Sequence, residues 1–155
     1  MSDTAAALYL ENQLCFPLYA ASRMTTKIYA PLLNTLGLTY PQYLAMLVLW
    51  QHGEQTVNQI GNRLYLESNT LTPLLKRLEQ KGLITRRRSP KDERSVLVQL
   101  TEPGAQLKNK AKEIPKTIIE SFNDSRLTEP EVLQFQKTLF KLVEILSERA
   151  EQDKE

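Results

Sequence analysis

One stretch of the chain decides the fold: residues 68–100 read SNTLTPLLKRLEQKGLITRRRSPKDERSVLVQL. Four leucines at helical spacing predict a short amphipathic helix that is capped by Ser68 and stopped by Gly82. Two strand-like segments follow, 83–86 and 95–100, on either side of a polar loop. A hairpin directly after a short helix indicates a winged helix-turn-helix, with the hairpin as the wing.

The preceding sequence supplies the other helices of this unit. An apolar pattern over residues 14–36 has the three-and-four spacing of one six-turn helix. The capping-box pattern at 39–42 opens a second helix, which runs to about His52. Thr56 caps a third, short helix, and a tight turn separates it from the Ser68 helix. We therefore expect residues 39–101 to form a winged helix-turn-helix DNA-binding region.

The regions outside this unit, residues 8–36 and 102–151, are predicted to be helical and to form dimers. Pro115 is expected to kink or break the helix that starts at Thr101. A capping box at 128–131 opens a final helix with an apolar seam: Val132, Phe135, Leu139, Leu142 and Leu146.

Either both terminal regions pack on the core of their own chain, or they build a homodimer. Duplicated winged units suit two DNA half-sites one helical turn apart, which favours the homodimer. The predicted fold is thus one mainly α domain over residues 1–155 with a small β-hairpin wing and N- and C-terminal dimerisation helices.

Composition excludes several classes of protein. The 155 residues are 41% hydrophobic and 25% charged, as in one globular domain. The longest apolar run, 43–50, is far shorter than the roughly 20 residues that span a bilayer, and residues 1–14 contain no Lys or Arg. We expect a cytoplasmic protein without membrane contact. One cysteine and one histidine cannot form an internal disulfide or a zinc site of Cys and His ligands, so no metal or other cofactor is expected.

Charge is concentrated in one part of the chain. The net charge is only +2, but the segment from Arg63 to Arg94 contains nine basic and four acidic residues, a local net charge of +5. A local basic surface on an otherwise ordinary protein indicates binding of a polyanion. Together with the predicted winged helix, it indicates double-stranded DNA as the partner and disfavours an interaction module without DNA binding.

The solvent side of the Ser68 helix carries groups that read base edges and phosphates in a major groove: Ser68, Asn69, Thr70, Thr72, Lys76 and Arg77. Pro73 has no N–H for the carbonyl of Asn69. Either this locally unfavourable residue is present for a functional reason, or the helix starts two residues later.

The predicted wing suits the electronegative minor groove of A·T-rich DNA. Its basic residues are Arg86, Arg87, Arg88, Lys91 and Arg94, although one or two of the arginines can equally be solvated. Asp92 cannot attract phosphate, so we expect it to align a wing arginine by an ion pair, or else to be a turn residue.

Cys15 lies near the start of the first helix, where the helix dipole stabilises a thiolate, and Tyr19 follows one turn later. Tyr29 is 14 residues further along, about 21 Å, so only a second subunit can bring it to Cys15. An antiparallel pair of these helices would place Tyr29 and Tyr40 of one subunit near Cys15 of the other. The alternatives are that Cys15 is a small buried hydrophobe and that the tyrosines are core residues.

Two sets of motifs point to a known family. The first is SNTLTPLLKRLE (68–79), KGLI (81–84), DER (92–94) and LT (100–101), and the second is LCF (14–16), LYA (18–20), Tyr29, PLL (31–33) and LTYPQYL (38–44). The first set resembles the MarR family of bacterial transcriptional regulators. The second resembles its branch of single-cysteine organic hydroperoxide resistance repressors, from which the chain departs at Pro17.

The resemblance implies a dimeric repressor of a peroxide-detoxifying gene, whose reduced form binds an inverted-repeat operator. It implies that organic hydroperoxide oxidises Cys15 among Tyr19, Tyr29 and Tyr40, and that the DNA is then released. With no second cysteine, the oxidised sulfur is expected to form a mixed disulfide with a low-molecular-weight thiol or to over-oxidise. Two other functions stay open: a regulator gated by a small aromatic ligand with an inert Cys15, and a thiol peroxidase, which the absence of a resolving cysteine disfavours.

Overall fold

The computed structural model describes residues 5–152, so the predicted domain, 1–155, extends at both ends into residues that lie outside this description. Two single 3₁₀ turns, Ala6–Leu8 and Leu10–Asn12, precede the first long helix. The helices are α1 (Cys15–Asn34), α2 (Tyr40–His52), α3 (Val57–Leu64), α4 (Ser68–Gln80), α5 (Glu102–Ala111), α6 (Ile114–Ser121) and α7 (Glu129–Gln152), and the strands are β1 (Gln55–Thr56), β2 (Ile84–Arg88) and β3 (Val96–Leu100).

Side-chain caps start the helices where the sequence places them. Thr39 and Gln42 form the predicted capping box of α2, and Thr56 accepts a hydrogen bond from the third residue of α3. Thr101 caps α5 through the N–H of Gly104. Pro115 lies in the first turn of α6, directly after the interruption between α5 and α6, so the predicted break is confirmed.

Two details of α4 differ from the prediction. The N-cap is Glu67 and not Ser68, because the carbonyl of Glu67 accepts the first helical hydrogen bonds, from the N–H groups of Thr70 and Leu71. Pro73 lies inside α4, so the helix does not start two residues later, and the carbonyl of Asn69 has no N–H four residues ahead.

The wing is a three-stranded antiparallel sheet in the order β1-β3-β2. The predicted hairpin is confirmed, with Ile84 opposite Leu100 and Arg88 opposite Val96, although β2 extends two residues further than expected. The pairing of β1 with β3, Gln55 opposite Val98, was not predicted. It ties the start of α3 to the base of the wing.

The core lies between α2, α3, α4 and the sheet. Its fully buried side chains are Leu33, Met46, Leu49, Ile60, Leu71, Leu75, Leu78, Ile84 and Val98. Gly104 lets α5 approach this core, because a Cβ at this position would lie 2.0 Å from the carbonyl oxygen of Leu83. The base of the wing is thereby fixed to the rest of the unit.

The terminal helices leave most of their apolar side chains open. Only Leu33 of α1 is buried, and α7 has no buried residue. Within the predicted seam of α7, Val132 and Leu139 are partly covered, whereas the others are open: Phe135, Leu142 and Leu146. The end of the N-terminal region (Leu33 and Leu36) and the α5–α6 part of the C-terminal region (Ala111, Ile114 and Ile118) thus pack on the core of their own chain, whereas α7 and most of α1 do not. Within residues 5–152, no helix is both long and apolar enough to span a bilayer.

Candidate DNA-binding surface and redox site

Helix α4 turns its leucines inward and its polar side chains outward. Leu71, Leu75 and Leu78 have no exposed surface, and they anchor the helix to the core. The predicted DNA-reading residues are all exposed: Ser68, Asn69, Thr70, Thr72, Lys76 and Arg77. The structure therefore presents them on one rigid element, which is the geometry that a recognition helix needs.

A groove of about 160 Å³ lies where the wing meets α4. Ser68 and Thr72 of α4 line it together with Arg94 of the wing and Asn58 of α3. The groove thus brings together two of the predicted recognition residues and the predicted wing arginine. A nucleic-acid backbone that follows this side of the molecule would meet all three elements.

Asp92 builds the turn of the wing. Its carboxylate accepts hydrogen bonds from the N–H of Arg94 at 3.0 Å and from the hydroxyl of Ser95 at 3.0 Å. The expected ion pair with a wing arginine is therefore wrong for this structure, because both carboxylate oxygens are held by the turn itself. Asp92 fixes the backbone of Arg94 and leaves its side chain exposed.

The other wing arginines have partners within the chain. Arg86 is half-buried and pairs with Glu79 of α4 at 2.8 Å, and this hydrogen-bonded pair holds the pKa of Glu79 below its ordinary value. Arg87 pairs with Glu54 at 2.9 Å, and Arg88 donates to the carbonyl of Glu93. Arg86 thus joins the wing to α4. The exposed tip residues, Lys91 and Arg94, are the basic side chains left free to reach out from the wing.

Cys15 is exposed as the first residue of α1. Pro17 is the third helical residue, a position whose N–H has no partner in the helix, so it starts the helix at Cys15 and does not break it. Tyr19, one turn on, is 59% exposed, and the guanidinium of Arg23 lies 5.6 Å from the centre of its ring. The thiol is therefore accessible, and an exposed aromatic ring follows it one helical turn later.

The other predicted tyrosines lie together at the far end of α1. The ring of Tyr29 is 4.8 Å from that of Tyr40 and 6.0 Å from that of Tyr43, centre to centre. Burial, followed by the neighbouring rings of Tyr40 and Tyr43, raises the pKa of Tyr29 to about 12. Burial also raises the pKa values of Tyr40 and Tyr43. These phenols therefore remain hydrogen-bond donors at neutral pH.

Tyr43 was not singled out from the sequence, although it lies three residues after Tyr40 on the same helix. Its ring is 6.3 Å from that of Trp50, whose indole N–H donates to the carbonyl of Gly104 at 2.9 Å. Aromatic contacts thus run from Tyr29 to the start of α5. The helical spacing of Tyr40, Tyr43 and Trp50 along α2 is the signal that would have found them.

Comparison with known proteins decides the family. A sequence model described as "Transcriptional regulator SarA/Rot" matches residues 27–114. The organic hydroperoxide resistance transcriptional regulator of Bacillus subtilis (strain 168) is 56% identical over 140 residues, which cover 90% of this chain and 93% of that protein. The chain belongs to the MarR family of transcriptional regulators.

Two solved structures of a related regulator, AbfR of Staphylococcus epidermidis, resemble this MarR-family chain. Reduced AbfR bound to DNA superposes with a TM-score of 0.72 at 39% identity, and the match covers 88% of this chain and 94% of that one. Overoxidized AbfR bound to DNA superposes with a TM-score of 0.71 at 38% identity and the same coverage. This MarR-family chain therefore shares its fold with a regulator whose structure has been determined in complex with DNA.

Within the described part of the chain, no three His, Cys, Asp or Glu side chains lie close enough together to hold a metal ion. An open groove of about 420 Å³ lies between α2 and the α5–α6 region, with Tyr43 and Trp50 on its apolar side and Lys108 and Lys112 at its rim. The exposed thiol of Cys15 does not line this groove.

Proposed function

We propose that this chain is a peroxide-sensing transcriptional repressor. Its reduced homodimer binds an inverted-repeat operator in double-stranded DNA, and oxidation of Cys15 by an organic hydroperoxide releases the DNA. The observation that carries the proposal is the division of the site: an accessible thiol at one end of α1 and clustered phenols at the other end. Similarity to the Bacillus subtilis hydroperoxide resistance regulator supports it.

The homodimer completes the site. Tyr29 lies about 21 Å along α1 from Cys15, so its phenol cannot reach the thiol of its own chain. Two α1 helices that pack antiparallel bring Cys15 and Tyr19 of one subunit to Tyr29 and Tyr40 of the other. The exposed apolar side chains along α1 and α7 support this dimer, since contiguous exposed apolar surface marks interaction sites.

The proposed oxidation needs only the thiolate and the peroxide. The sulfur of Cys15 attacks the terminal oxygen of the hydroperoxide, the O–O bond breaks, and the alkoxide leaves and takes up a proton to become an alcohol. Cys15 becomes a sulfenic acid. The phenols of Tyr19, Tyr29 and Tyr40 donate hydrogen bonds to the thiolate and, during the reaction, to the developing negative charge.

The oxidised state that releases DNA is proposed to be a mixed disulfide. A low-molecular-weight thiol condenses with the sulfenic acid, water leaves, and a new S–S bond forms at Cys15. Over-oxidation is the alternative fate, but the related AbfR has been crystallised on DNA in its overoxidized form. That finding favours the larger adduct as the form that separates the packed helices.

DNA binding is assigned to α4 and the tip of the wing. Ser68, Asn69, Thr70, Thr72, Lys76 and Arg77 enter the major groove, and Lys91 and Arg94 reach the minor groove or its phosphates. Arg86, Arg87 and Asp92 shape the wing, and Arg88 braces its loop. Oxidation then acts through geometry: it changes the spacing of two recognition helices and leaves their side chains intact.

A gel shift with the DNA upstream of the protein's own gene tests the proposal. Reduced protein should bind, protein treated with organic hydroperoxide and a small thiol should release, and excess dithiol reductant should restore binding. Cys15→Ser should bind DNA and ignore the peroxide. Release of the Cys15→Ser variant by peroxide would contradict the proposal.

The groove beside Lys108 and Lys112 keeps a second function open, a regulator gated by a small aromatic ligand with an inert Cys15. This alternative predicts that a small aromatic acid releases DNA from wild type and from Cys15→Ser equally. Steady consumption of peroxide with a thiol reductant would instead indicate a thiol peroxidase.

A further inference from the structure

Lys81 connects the recognition helix to the corner between α1 and α2. It follows the last residue of α4 and forms the C-cap of that helix. Its Nζ donates to the carbonyl oxygen of Gly37 and, at 3.1 Å, to the side-chain oxygen of Gln42. These contacts join segments that are about 40 residues apart in sequence, so neither acceptor was evident from the local pattern around Lys81.

Gln42 is the buried member of this contact, with only 3% of its surface exposed. The same side-chain oxygen accepts the backbone N–H of Thr39 at 3.1 Å, which is half of the capping box that starts α2. One buried oxygen therefore serves both the start of α2 and the end of α4. A displacement of the first turn of α2 must move or break the hydrogen bond to Lys81.

That first turn of α2 carries one of the phenols of the proposed redox site. Tyr40 is the first residue of α2, between Thr39 and Gln42, and its ring lies 4.8 Å from that of Tyr29. Gly37, the other acceptor, follows the end of α1 and has a φ of +66°. Lys81 thus contacts both the connection that links the helix of Cys15 to the helix of Tyr40 and the first turn of the latter helix.

The charge of Lys81 suits this place. The C-terminal ends of α1 and α4 each present carbonyl groups at the negative end of a helix dipole, and an ammonium group between them is favourable for both. A flexible lysine stem is also able to follow a small displacement. If the contact breaks, the oxygen of Gln42 keeps the N–H of Thr39 but loses a hydrogen bond from a charged donor, which is costly. When the α1–α2 corner moves, Lys81 either moves with it or loses its hydrogen bonds to Gly37 and Gln42, which costs free energy.

We propose that Lys81 is a positioning residue that transmits the state of the Cys15 site to α4 through Gly37 and Gln42. This inference rests on the proposed function, since it needs an oxidation that changes DNA affinity. Removal of the contact should let α4 keep one position whatever the state of Cys15. The expected loss is therefore a loss of coupling, not of DNA recognition as such.

The test measures operator dissociation constants for the reduced full-length dimer and for the dimer carrying a mixed disulfide at Cys15. The ratio of these two dissociation constants measures the coupling between the state of Cys15 and DNA binding. In Lys81→Met we expect this ratio to fall by about fivefold or more toward one. Lys81→Arg, which retains the charge and the donors, should keep the wild-type ratio, and so should Lys110→Met, a control at an exposed lysine of α5. The rate of thiol loss at Cys15 should be the same in all four proteins.

Two outcomes would overturn the inference. One is a wild-type ratio in Lys81→Met. The other is an equal weakening of both states with a smaller salt dependence, which would make Lys81 a phosphate contact. If Lys81→Met does not fold, Lys81→Gln decides, because it is polar but too short and uncharged to bridge both acceptors. Failure of the wild-type protein to release DNA on oxidation would contradict the proposed function instead.

Discussion

Phe135 tests the proposed dimer most directly. It belongs to the predicted seam of α7, and 56% of its surface is exposed in the single chain. A phenylalanine buries about 200 Å² when fully enclosed, so its exposed part is about 110 Å². At about 25 cal/mol per Å², complete burial contributes about 3 kcal/mol per subunit, and a symmetric dimer contains two copies.

Phe135→Ala should therefore weaken the dimer strongly. If half of this free energy is discounted for surface that stays wet or that alanine still buries, about 3 kcal/mol per dimer is lost. Since about 1.4 kcal/mol corresponds to a factor of ten, the dimer dissociation constant should rise about 100-fold. Sedimentation velocity over a range of protein concentrations measures this constant.

Tyr65 supplies the matched control. It is similarly exposed, at 61%, but it ends α3 in the turn before α4, where it lines a groove with residues of the segment 147–151, about three helical turns beyond Phe135 along α7. Its φ of +55° is tolerated by asparagine, so Tyr65→Asn removes an exposed aromatic ring without backbone strain. This variant should dimerise like wild type. A Phe135→Ala protein with the wild-type dimer constant would refute the use of this face of α7 as the interface.

Three further predictions concern the wing, the core and the phenols. Arg94→Ala should weaken operator binding by about 1–3 kcal/mol at matched salt and leave dimerisation unchanged; equal affinity would remove the wing from the interface. Gly104→Ala places a Cβ against the carbonyl of Leu83 and should lower the free energy of unfolding by about 1–3 kcal/mol in urea; an unchanged midpoint would contradict the close approach. Tyr29 should ionise near pH 12, above the ordinary 10.0, so its contribution to stability is complete below pH 10 and is lost as pH rises toward 12. An ultraviolet titration that compares wild type with Tyr29→Phe checks this, and a Tyr29 phenolate near pH 10 would contradict it.

The elements that sequence predicted well are those that short-range chemistry determines. The helix caps depend on hydrogen bonds within four residues, and the three predicted at Thr39, Thr56 and Thr101 are all present. The break before Pro115 is equally local, because proline has no N–H to donate within a helix. The hairpin follows from alternating side chains in two adjacent segments. The two-residue strand β1 was missed because a segment of that length has no periodicity.

The candidate site was predictable in its residues but not in its contacts. The pairing of Arg87 with Glu54 joins residues 33 positions apart, and no local pattern indicates it. Arg86 was counted with the wing arginines because sequence does not show that Glu79, on the preceding helix, faces it. For Asp92 the sequence leaves two roles open, an ion pair with a wing arginine or a turn residue, and its contacts with backbone and hydroxyl groups show that it is a turn residue.

The proposed division of the redox site between two chains predicts different effects for variants of the interface and for variants of Cys15. A monomer would hold an exposed thiol at one end of α1 and phenols about 21 Å away, so in the proposed mechanism only the dimer contains a sensor. The same dimer sets the spacing of the two α4 helices on DNA. Weakening the interface, as in Phe135→Ala, should therefore reduce both peroxide response and operator affinity, and a higher protein concentration should restore both. Cys15→Ser should remove the response alone at every concentration. A variant that loses its response in a stable dimer with an intact, reactive Cys15 would have to act between the two sites, which is where Lys81 and Gln42 lie.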